Sequence, residues 1–275
     1  MKKTINMFLS AAMALSLAAC SGNSPAPEET AETDTAETSV LDQVKERGYL
    51  IIGTEGVWSP WTYHDENTDV LTGFDIEIGT LIAEGLGVKA DFQEVPWESI
   101  LVGVETNVFD IACNGVGYTE ERAEKFSFST PYVYTEAVLV VRKDNEEIKT
   151  LEDLKGKKTS NSPNSTYALK AEEMGATVDY VDTLGETMMM VIDGRVDATI
   201  NAKGSVDDYL REHPDAEIKM VQVFAGEPVC YPIRKGEDTE TLLNAINGIL
   251  ENLRNDGTLA ALSVKYFGED LTQAQ

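Results

Sequence analysis

Short apolar segments alternate with amphipathic helical segments along most of this chain, and this alternation limits the folds it can adopt. Predicted strands are 49–53, 89–95, 109–113, 137–142, 158–161, 178–181, 196–201, 217–221 and 229–234. Predicted helices are 41–47, 97–105, 119–125, 165–174, 186–192, 205–212 and 239–267, the last with a break at Asp256 and Gly257. A further helix is predicted to start at Phe74 and to end at Gly85 or Gly87. Strands that alternate with helices are typical of mainly parallel sheets covered by helices. We therefore predict an α/β protein.

The N-terminus has the pattern of an export signal. Lys2 and Lys3 precede an apolar run at 7–17, which is too short to cross a bilayer core of about 30 Å. Small residues lead to Cys20, in an arrangement that resembles the bacterial lipobox. We predict a signal peptide at 1–19, with Cys20 lipidated as the mature N-terminus; ordinary cleavage with an incidental Cys20 is the alternative. The predicted location is extracytoplasmic, anchored by lipid to the bacterial cell membrane.

The segment after Cys20 has no aromatic and no large aliphatic residue up to Ser39. Such a composition cannot bury a core, so residues 20–40 are predicted to be a disordered acidic tether. The remaining folded part runs from about Val40 to about Gly268. That length exceeds a typical single core and predicts two lobes.

The net charge and the cysteine content limit the kinds of binding partner, metal and cofactor that can be expected. The formal net charge of −26 disfavours nucleic acid and anionic membrane as binding partners. Cys113 and Cys230 have no C-x-x-C neighbour and no zinc-ligand spacing, so no metal and no cofactor is expected. These two cysteines are predicted to be either buried thiols or one disulfide.

A glycine-rich segment followed by an arginine is the most distinctive local feature. The apolar run 108–112 ends at Asn114, Gly115 and Gly117, and Arg122 follows on a short predicted helix. Glycines allow backbone N–H groups to approach a ligand, and a guanidinium can donate two parallel hydrogen bonds to a carboxylate. This pattern predicts a carboxylate site. The alternative is a surface arginine that pairs with a neighbouring glutamate.

Several short motifs occur in one order across the chain. They are Gly53-Thr54-Glu55, Pro60-Trp61, Leu71-Thr72-Gly73-Phe74-Asp75-Ile76, Phe109-Asp110-Ile111, the glycine–arginine segment, Phe128-Ser129-Thr130-Pro131-Tyr132, Leu154-Lys155-Gly156-Lys157-Lys158, Gly194-Arg195-Val196-Asp197-Ala198, Arg234-Lys235-Gly236 and Asp256-Gly257-Thr258-Leu259. In this the chain resembles the bacterial extracellular solute-binding proteins of family 3, which serve polar amino-acid ABC transporters. The resemblance implies a two-lobed, type II periplasmic-binding-protein-like fold. It places lobe 1 at 41–134 plus 227–275 and lobe 2 at 135–226, with hinge crossings near 134–135 and 226–227.

The same resemblance implies a ligand site. Arg122 matches the position that binds the ligand α-carboxylate, Trp58 and Trp97 match aromatic positions that sandwich the ligand, and Glu55 matches a position that faces the ligand side chain. Further matching positions are Asn114, Gly115, Gly117, Ser162, Ser165, Thr166 and Tyr167. Independently of the resemblance, Asn164, Ser165 and Thr166 lie at a predicted helix N-terminus, where free N–H groups favour an anion, although a simple helix cap is the alternative.

Two positions depart from the family pattern. Gly117 stands where many relatives have a hydroxyl side chain. Ala202 stands where most amino-acid binders have the aspartate that pairs with the ligand ammonium. The ammonium would then need another partner, for which Asn201, Glu55 or the tryptophan faces are candidates.

The function implied by the resemblance is that of the substrate-binding component of an ABC importer. The ligand would be a cationic, polar or cystine-like amino acid, the partners the permease subunits, and the protein a monomer. A ligand-binding sensor for a signalling receptor and a dehydratase-like enzyme on the same fold are alternatives. An enzyme is not expected, because His64 and His213 are the only histidines and no catalytic triad, phosphate loop or metal spacing is present.

The resemblance also implies a place for the two cysteines. In this family the returning strand, here 229–234, enters lobe 1 beside the strand at 109–113 and antiparallel to it. Cys113 and Cys230 are therefore expected to be neighbours near the hinge. Whether they form a disulfide stays open, because a buried thiol pair fits the sequence equally well.

Overall fold

The computed structural model describes residues 38–274. The predicted signal peptide, Cys20 and nearly all of the predicted tether lie outside the described residues. The first helix begins at Val40, where Ser39 caps it by accepting a hydrogen bond from the backbone N–H of Asp42. None of the helices in the described range is long and apolar enough to cross a membrane.

Strands and helices alternate as the sequence predicts. In chain order they are α1 (Val40–Arg47), β1 (Tyr49–Thr54), β2 (Val57–Trp58), β3 (Thr62–His64), β4 (Leu71–Thr72), α2 (Phe74–Leu86), β5 (Lys89–Glu94), α3 (Trp97–Glu105), β6 (Ile111–Ala112), α4 (Glu120–Lys125), β7 (Phe126–Phe128), β8 (Val133–Arg142), β9 (Lys158–Asn161), α5 (Thr166–Glu173), β10 (Thr177–Tyr180), α6 (Leu184–Ile192), β11 (Ala198–Ala202), α7 (Lys203–Glu212), β12 (Ile218–Val229), β13 (Pro232–Arg234), α8 (Glu240–Asn255) and α9 (Thr258–Phe267). Two 3₁₀ turns lie at Leu151–Leu154 and Glu237–Thr239.

Two main sheets organise the chain. The sheet of lobe 1 has the order β5–β1–β6, and its pairs are parallel. The sheet of lobe 2 has the order β10–β9–β11–β8–β12, in which β10, β9 and β11 are parallel and β8 and β12 pair antiparallel. Small sheets of β2–β3–β4 and of β13–β7 complete lobe 1. The α/β class is therefore as predicted, with mostly parallel main sheets.

Each lobe has its own hydrophobic core. In lobe 1, the fully buried Leu242, Ile246 and Leu250 recur every fourth residue of α8 and pack with the buried face of α2. In lobe 2, successive residues of β8 point to opposite faces of the sheet. Leu139 therefore lies in the core on one face, and Val140 in the core on the other.

Strands β8 and β12 form the longest ladder of the fold. It extends from the pair Arg142–Ile218 to the pair Val133–Val229, with an irregularity between Ala225 and Pro228. The predicted hinge crossings, near 134–135 and 226–227, lie opposite each other at this irregularity. The domain boundaries themselves remain a prediction.

The returning strand forms no ladder with β6, although β13 packs against it. Strand β12 ends at Val229, and the chain resumes as β13, which pairs with β7 rather than with β6. The apolar run 229–233 resembles one strand, but a side chain interrupts it: the N–H of Tyr231 donates to the hydroxyl of Ser129 at 2.9 Å. The backbone N–H of Cys230 donates to the carbonyl of Val116 at 3.0 Å. Cys113 and Cys230 are both buried free thiols, so of the two open alternatives the structure shows the thiols. The expected proximity of Cys113 and Cys230 stays a prediction.

Candidate functional site

A cavity lies between the two lobes, at the carboxyl ends of the parallel strands of both sheets. It has about 570 Å³ of empty space, part of it open to solvent, which is within the usual range for small-molecule sites. Its lining residues are Glu55, Trp58, Trp97, Asn114, Gly115, Gly117, Arg122, Asn161, Ser162, Ser165, Thr166, Tyr167, Asp182, Leu184, Thr187 and Asn201. Every residue that the sequence analysis assigns to a ligand site thus lines this one cavity. Their binding roles remain predictions, because a position on the wall does not itself show a contact with ligand.

Arg122 is a buried cation in the wall of this cavity. Its side chain is turned away from solvent, with the residue only 9% exposed, and no carboxylate of the described residues lies within 4.0 Å of it. One terminal nitrogen donates to the carbonyl of Gly117 at 2.7 Å, and the other donates to the carbonyl of Asn164 at 2.9 Å. Burial lowers the pKa of Arg122, because desolvation disfavours its charged form. The alternative of a surface ion pair is therefore excluded.

The N-terminus of α5 faces the same cavity. Ser165 is the N-cap and accepts a hydrogen bond from the N–H of Ala168 at 3.1 Å. Asn164 precedes it in the left-handed conformation, with φ of 57°, and its carbonyl accepts the hydrogen bond of Arg122. The first N–H groups of a helix lack partners within the helix, and together with the helix dipole they favour an anion. Arg122 and this helix end therefore make one region of the cavity suitable for a carboxylate.

The carboxylate of Glu55 makes another region of the cavity wall acidic, in contrast to the region around Arg122. Glu55 follows β1, and its backbone N–H donates to the side-chain oxygen of Asn114 at 2.9 Å. Burial raises the pKa of Glu55 to about 7, because removing the carboxylate from water disfavours its charged form. Asp182, which follows β10, adds a second carboxyl group to the wall. Both groups could accept hydrogen bonds from a cation or a polar side chain.

Two tryptophans form aromatic walls. Trp58 stacks on Trp61 with ring centroids 5.3 Å apart and an angle of 14° between the rings. Trp97 starts α3, and the guanidinium of Arg122 lies over its ring at 5.5 Å. The indole N–H of Trp97 also donates to the carbonyl of Pro163 in lobe 2 at 3.0 Å. Trp97 therefore contacts both the buried cation and the opposite lobe.

The glycine loop after β6 is packed too closely for side chains. Gly115 has φ of 57°, and an added Cβ would lie 2.6 Å from the ring of Trp58. At Gly117 an added Cβ would lie 3.0 Å from the side chain of Glu227 and 3.5 Å from that of Thr166. The hydroxyl that the family pattern would place at Gly117 therefore has little room in this chain.

Ala202, which stands where most amino-acid binders have an aspartate, does not line this cavity. Ala202 is buried and lines a separate small recess rather than this cavity. The neighbouring Asn201 lines the cavity, but its side-chain oxygen already accepts the N–H of Ala202 at 2.9 Å. The region of the usual aspartate thus offers no carboxylate to a ligand ammonium.

Four wall residues were not predicted: Asn161, Asp182, Leu184 and Thr187. Asn161 ends β9 and is 1% exposed. Its Nδ2 donates to the carbonyl of Ile200 at 2.7 Å, and its Oδ1 has no hydrogen-bond partner among the described residues. Buried polar atoms are nearly always paired, so this oxygen is a buried acceptor that still lacks a partner among the described residues.

Direct contacts close the two lobes on each other around the cavity. Besides the bonds from Trp97 and Arg122, the hydroxyl of Ser59 donates to the carboxylate of Asp208 on α7. Lys203, at the start of α7, lies 3.6 Å from the carboxylate of Glu269. The cleft is therefore bridged by protein groups on more than one side.

The family model and the most similar relatives point to the same protein family. The family model of the bacterial extracellular solute-binding proteins, family 3, matches residues 50–269. The L-cystine-binding protein TcyA of Bacillus subtilis (strain 168) is 37% identical over 276 residues, which cover 99% of this chain and 100% of the relative.

Solved structures show the same fold. An ancestral arginine-binding protein bound to arginine has a TM-score of 0.75 at 36% identity, and covers 81% of this chain and 99% of its own. The L-cystine solute receptor of Neisseria gonorrhoeae, in the unliganded open conformation, has a TM-score of 0.58 at 35% identity, and covers 86% of this chain and 100% of its own. With a family match over most of its length and a full-length relative above 30% identity, this chain belongs to the bacterial extracellular solute-binding proteins, family 3.

Proposed function

We propose that this chain is the extracytoplasmic binding component of an ABC importer, which captures an amino acid between its two lobes and delivers it to the permease. The observation that carries the proposal is the buried guanidinium of Arg122 beside the N-terminus of α5, which has no carboxylate within 4.0 Å among the described residues. A buried charge without a partner is costly, and a ligand carboxylate would supply the missing anion.

The walls suggest a pose for the ligand. Its α-carboxylate would bind Arg122 and the free N–H groups of α5, while Trp58 and Trp97 would cover its faces. Its ammonium, which meets no aspartate at position 202, would donate to the unpaired Oδ1 of Asn161. Its side chain would extend towards Glu55.

The similarity to relatives supports a closed, ligand-accepting arrangement. At nearly equal sequence identity, this chain is more similar to the arginine-bound structure than to the open, unliganded one. The bridges between the lobes, such as Trp97 to Pro163, agree with closure. We therefore infer that the division into lobe 1 (41–134 plus 227–275) and lobe 2 (135–226) describes two bodies that move about the β8–β12 ladder.

The ligand class follows from the acidic groups and from the relatives. Glu55 and Asp182 disfavour an aspartate or glutamate ligand, because like charges repel at short range. TcyA, which aligns with this chain over its full length, is a cystine-binding protein. We propose a cationic, polar or cystine-like amino acid.

A thermal-shift screen of the twenty amino acids, cystine and ornithine on residues 21–275 tests the function. A ligand at about 100 times its Kd should add about 2.7 kcal/mol to the free energy of unfolding. The expected result is a shift with a cationic amino acid or cystine and none with aspartate. Absence of any shift across the whole set would contradict amino-acid binding. Chemical turnover of the bound ligand would instead favour a dehydratase-like enzyme. Binding to a signalling receptor and to no permease would favour a ligand-binding sensor.

The same proposal extends to the anchoring and the partners of the protein. Cys20 would carry lipid and hold the protein on the outer face of the bacterial cell membrane, and the 20–40 segment would tether it there. The partners would be the permease subunits, and the protein would act as a monomer. Mass spectrometry of the membrane fraction, with acylation at Cys20 as the expected result, tests the anchor.

The titration of Glu55 predicts a pH dependence of binding. A cationic ligand needs ionised Glu55, whose pKa of about 7 in the free protein means that the ionised fraction rises as pH increases through 7. Affinity for such a ligand should therefore rise between pH 6 and pH 7.5, by up to about tenfold per pH unit below the pKa. Calorimetry over this range checks the slope.

Glu55→Gln should bind a cationic ligand more weakly and without this slope. Glu84→Gln, which changes an exposed glutamate of α2, serves as the matched control and should keep the wild-type profile. An unchanged slope in Glu55→Gln would show that another group titrates.

A further inference from the structure

A buried carboxylate lies directly beneath the glycine loop of the cavity. Asp75, in the first turn of α2, is 0% exposed. One of its oxygens accepts the backbone N–H of Gly115 at 2.5 Å. The other oxygen accepts the hydroxyl of Tyr132 at 2.5 Å and lies 3.5 Å from the hydroxyl of Tyr231. Asp75 itself does not line the cavity.

These three donors belong to different functional parts of the fold. Gly115 is part of the cavity wall and packs against Trp58. Tyr132 immediately precedes β8, and Tyr231 lies just beyond the end of β12, so the two tyrosines flank the hinge ladder. Their rings stack with centroids 4.2 Å apart and an angle of 3°. One carboxylate thus joins the loop of the cavity to both ends of the chain that cross the hinge.

No lysine, arginine or histidine of the described residues forms an ion pair with this carboxylate. The titratable groups that face it are Tyr132 and Tyr231 from the hinge side and Cys113 from the end of β6, all of them neutral at pH 7. Burial raises the pKa of Asp75 to about 6, and its hydrogen bonds with Tyr132, Gly115 and Tyr231 act in the opposite direction. At pH 7.5 the group is therefore ionised, and it accepts charge-assisted hydrogen bonds, which are shorter and stronger than neutral ones.

The sign of its effect on stability is opposite to that of a paired carboxylate. An unfolded aspartate ionises near pH 3.8, whereas the folded one ionises near pH 6. The contribution of Asp75 to the free energy of unfolding therefore falls as pH rises from about 4 to about 6, and the full decrease is present at pH 7.5. The ionised form of Asp75 is thus less favourable to the fold than its protonated form, and yet it is the form that holds the ligand loop at pH 7.5.

We infer that Asp75 is a positioning residue for ligand capture, which fixes the N–H of Gly115, and with it the glycine loop, relative to the hinge tyrosines. Ionised Asp75 sets the loop in its binding shape before the ligand arrives, so less binding energy is spent on ordering it. The inference rests on the proposed function for its effect on affinity. The positioning of the Gly115 loop by Asp75 does not depend on the proposed function.

Asp75→Asn is the first test, because it removes the charge and keeps the size of the side chain. At pH 7.5 it should weaken ligand binding by about fivefold, since a neutral acceptor holds an amide less strongly than an ionised one. Its melting temperature should be equal to or higher than that of the wild type, because the cost of ionisation is gone. The ratio of wild-type to variant affinity should fall towards one as pH is lowered below 6. Glu55 titrates in both proteins, so this ratio isolates Asp75.

Asp110→Asn is the matched control. Asp110 is also a buried aspartate of lobe 1 that accepts a backbone N–H, that of Ile51 at 2.7 Å, but it pairs with Arg47 and lies immediately before β6, away from the cavity. Asp110→Asn should change the melting temperature and leave the affinity at the wild-type value. If Asp75→Asn binds as the wild type does at every pH, or loses affinity only together with stability, the inference is wrong.

Two further measurements keep the test decisive. Hydrogen exchange at the Gly115 amide needs no ligand; it should be faster in Asp75→Asn than in the wild type and unchanged in Asp110→Asn. An unchanged rate would overturn the loop assignment even if no ligand is found, whereas failure of all ligands to bind would overturn only the proposed function. If Asp75→Asn does not fold, Tyr132→Phe replaces it. Tyr132→Phe removes a hydrogen-bond donor that favours ionised Asp75, so the pKa of Asp75 should rise further. The pH at which the variant reaches wild-type affinity should therefore be higher.

Discussion

Arg122→Lys should weaken amino-acid binding by about 2–5 kcal/mol, the usual cost of disrupting a buried charge pair. In the free protein, two nitrogens of the guanidinium are held by the carbonyls of Gly117 and Asn164. The fork is therefore already oriented, and its remaining N–H groups can meet a carboxylate. A lysine ammonium is a point donor without a fork, and it cannot keep both carbonyls and the ligand in the same geometry. Isothermal titration calorimetry measures the loss.

The control for this prediction is Arg195→Lys, which makes the same chemical change at an exposed position. It should bind with wild-type affinity. Thermal unfolding of Arg122→Lys without ligand should remain close to that of the wild type, because lysine keeps the positive charge and most of the apolar stem. Native affinity in Arg122→Lys would exclude Arg122 as the carboxylate-binding group, whatever lines the cavity.

The predictable part of the fold is the part that local patterns determine. Helix α3 and strand β9 occupy the residues predicted for them, 97–105 and 158–161. Both lie between clear boundaries: Pro96 precedes α3, and β9 is a short segment between a lysine-rich turn and a polar loop. Hydrophobic periodicity and boundary residues act over a few residues, so they can be seen without tertiary contacts.

The errors arise where a distant side chain replaces a backbone partner. Strand β6 is only Ile111–Ala112, because the carboxylate of Asp110 takes the N–H of Ile51 that a longer ladder would use. The returning segment is split at Tyr231 by the hydroxyl of Ser129. Neither hydrogen bond has a signal in the local sequence, since its partners are far apart along the chain. The place of the returning strand was expected from the resemblance, and the structure puts β13 against β6 but pairs it with β7.

In the candidate site, too, some residues could be predicted from the sequence and others were missed. The positions carried over from the family all lie on one cavity, but Asn161 and Asp182 were missed. A signal for both was present, because each stands at the carboxyl end of a predicted parallel strand, β9 or β10, where α/β sheets bind ligands. Asn161 in particular is a polar residue that closes an otherwise buried strand. The unpaired state of its Oδ1 could be seen only in three dimensions.

Trp97→Ala should weaken ligand binding by about 2 kcal/mol or more, because aromatic anchors at the centre of a site carry a large share of the binding energy. Trp97 would cover one face of the ligand, supports the guanidinium of Arg122 at 5.5 Å, and bridges to Pro163 in the other lobe. Trp97→Phe separates these roles, since it keeps an aromatic face and removes the N–H donor. Its affinity should lie between those of the wild type and Trp97→Ala.

Trp58→Ala should have a smaller effect than Trp97→Ala, because Trp61 stacks behind Trp58 and can present its own ring to the cavity. Tyr180→Ala, which removes an exposed aromatic ring of lobe 2, is the matched control and should bind normally. Intrinsic fluorescence gives an independent measurement: the change on adding ligand should persist in Tyr180→Ala and be lost when Trp58 and Trp97 are both replaced by Phe. Wild-type affinity in Trp58→Ala and Trp97→Ala alike would show that the two rings only pack between the lobes, and that the ligand binds against other walls of the cavity.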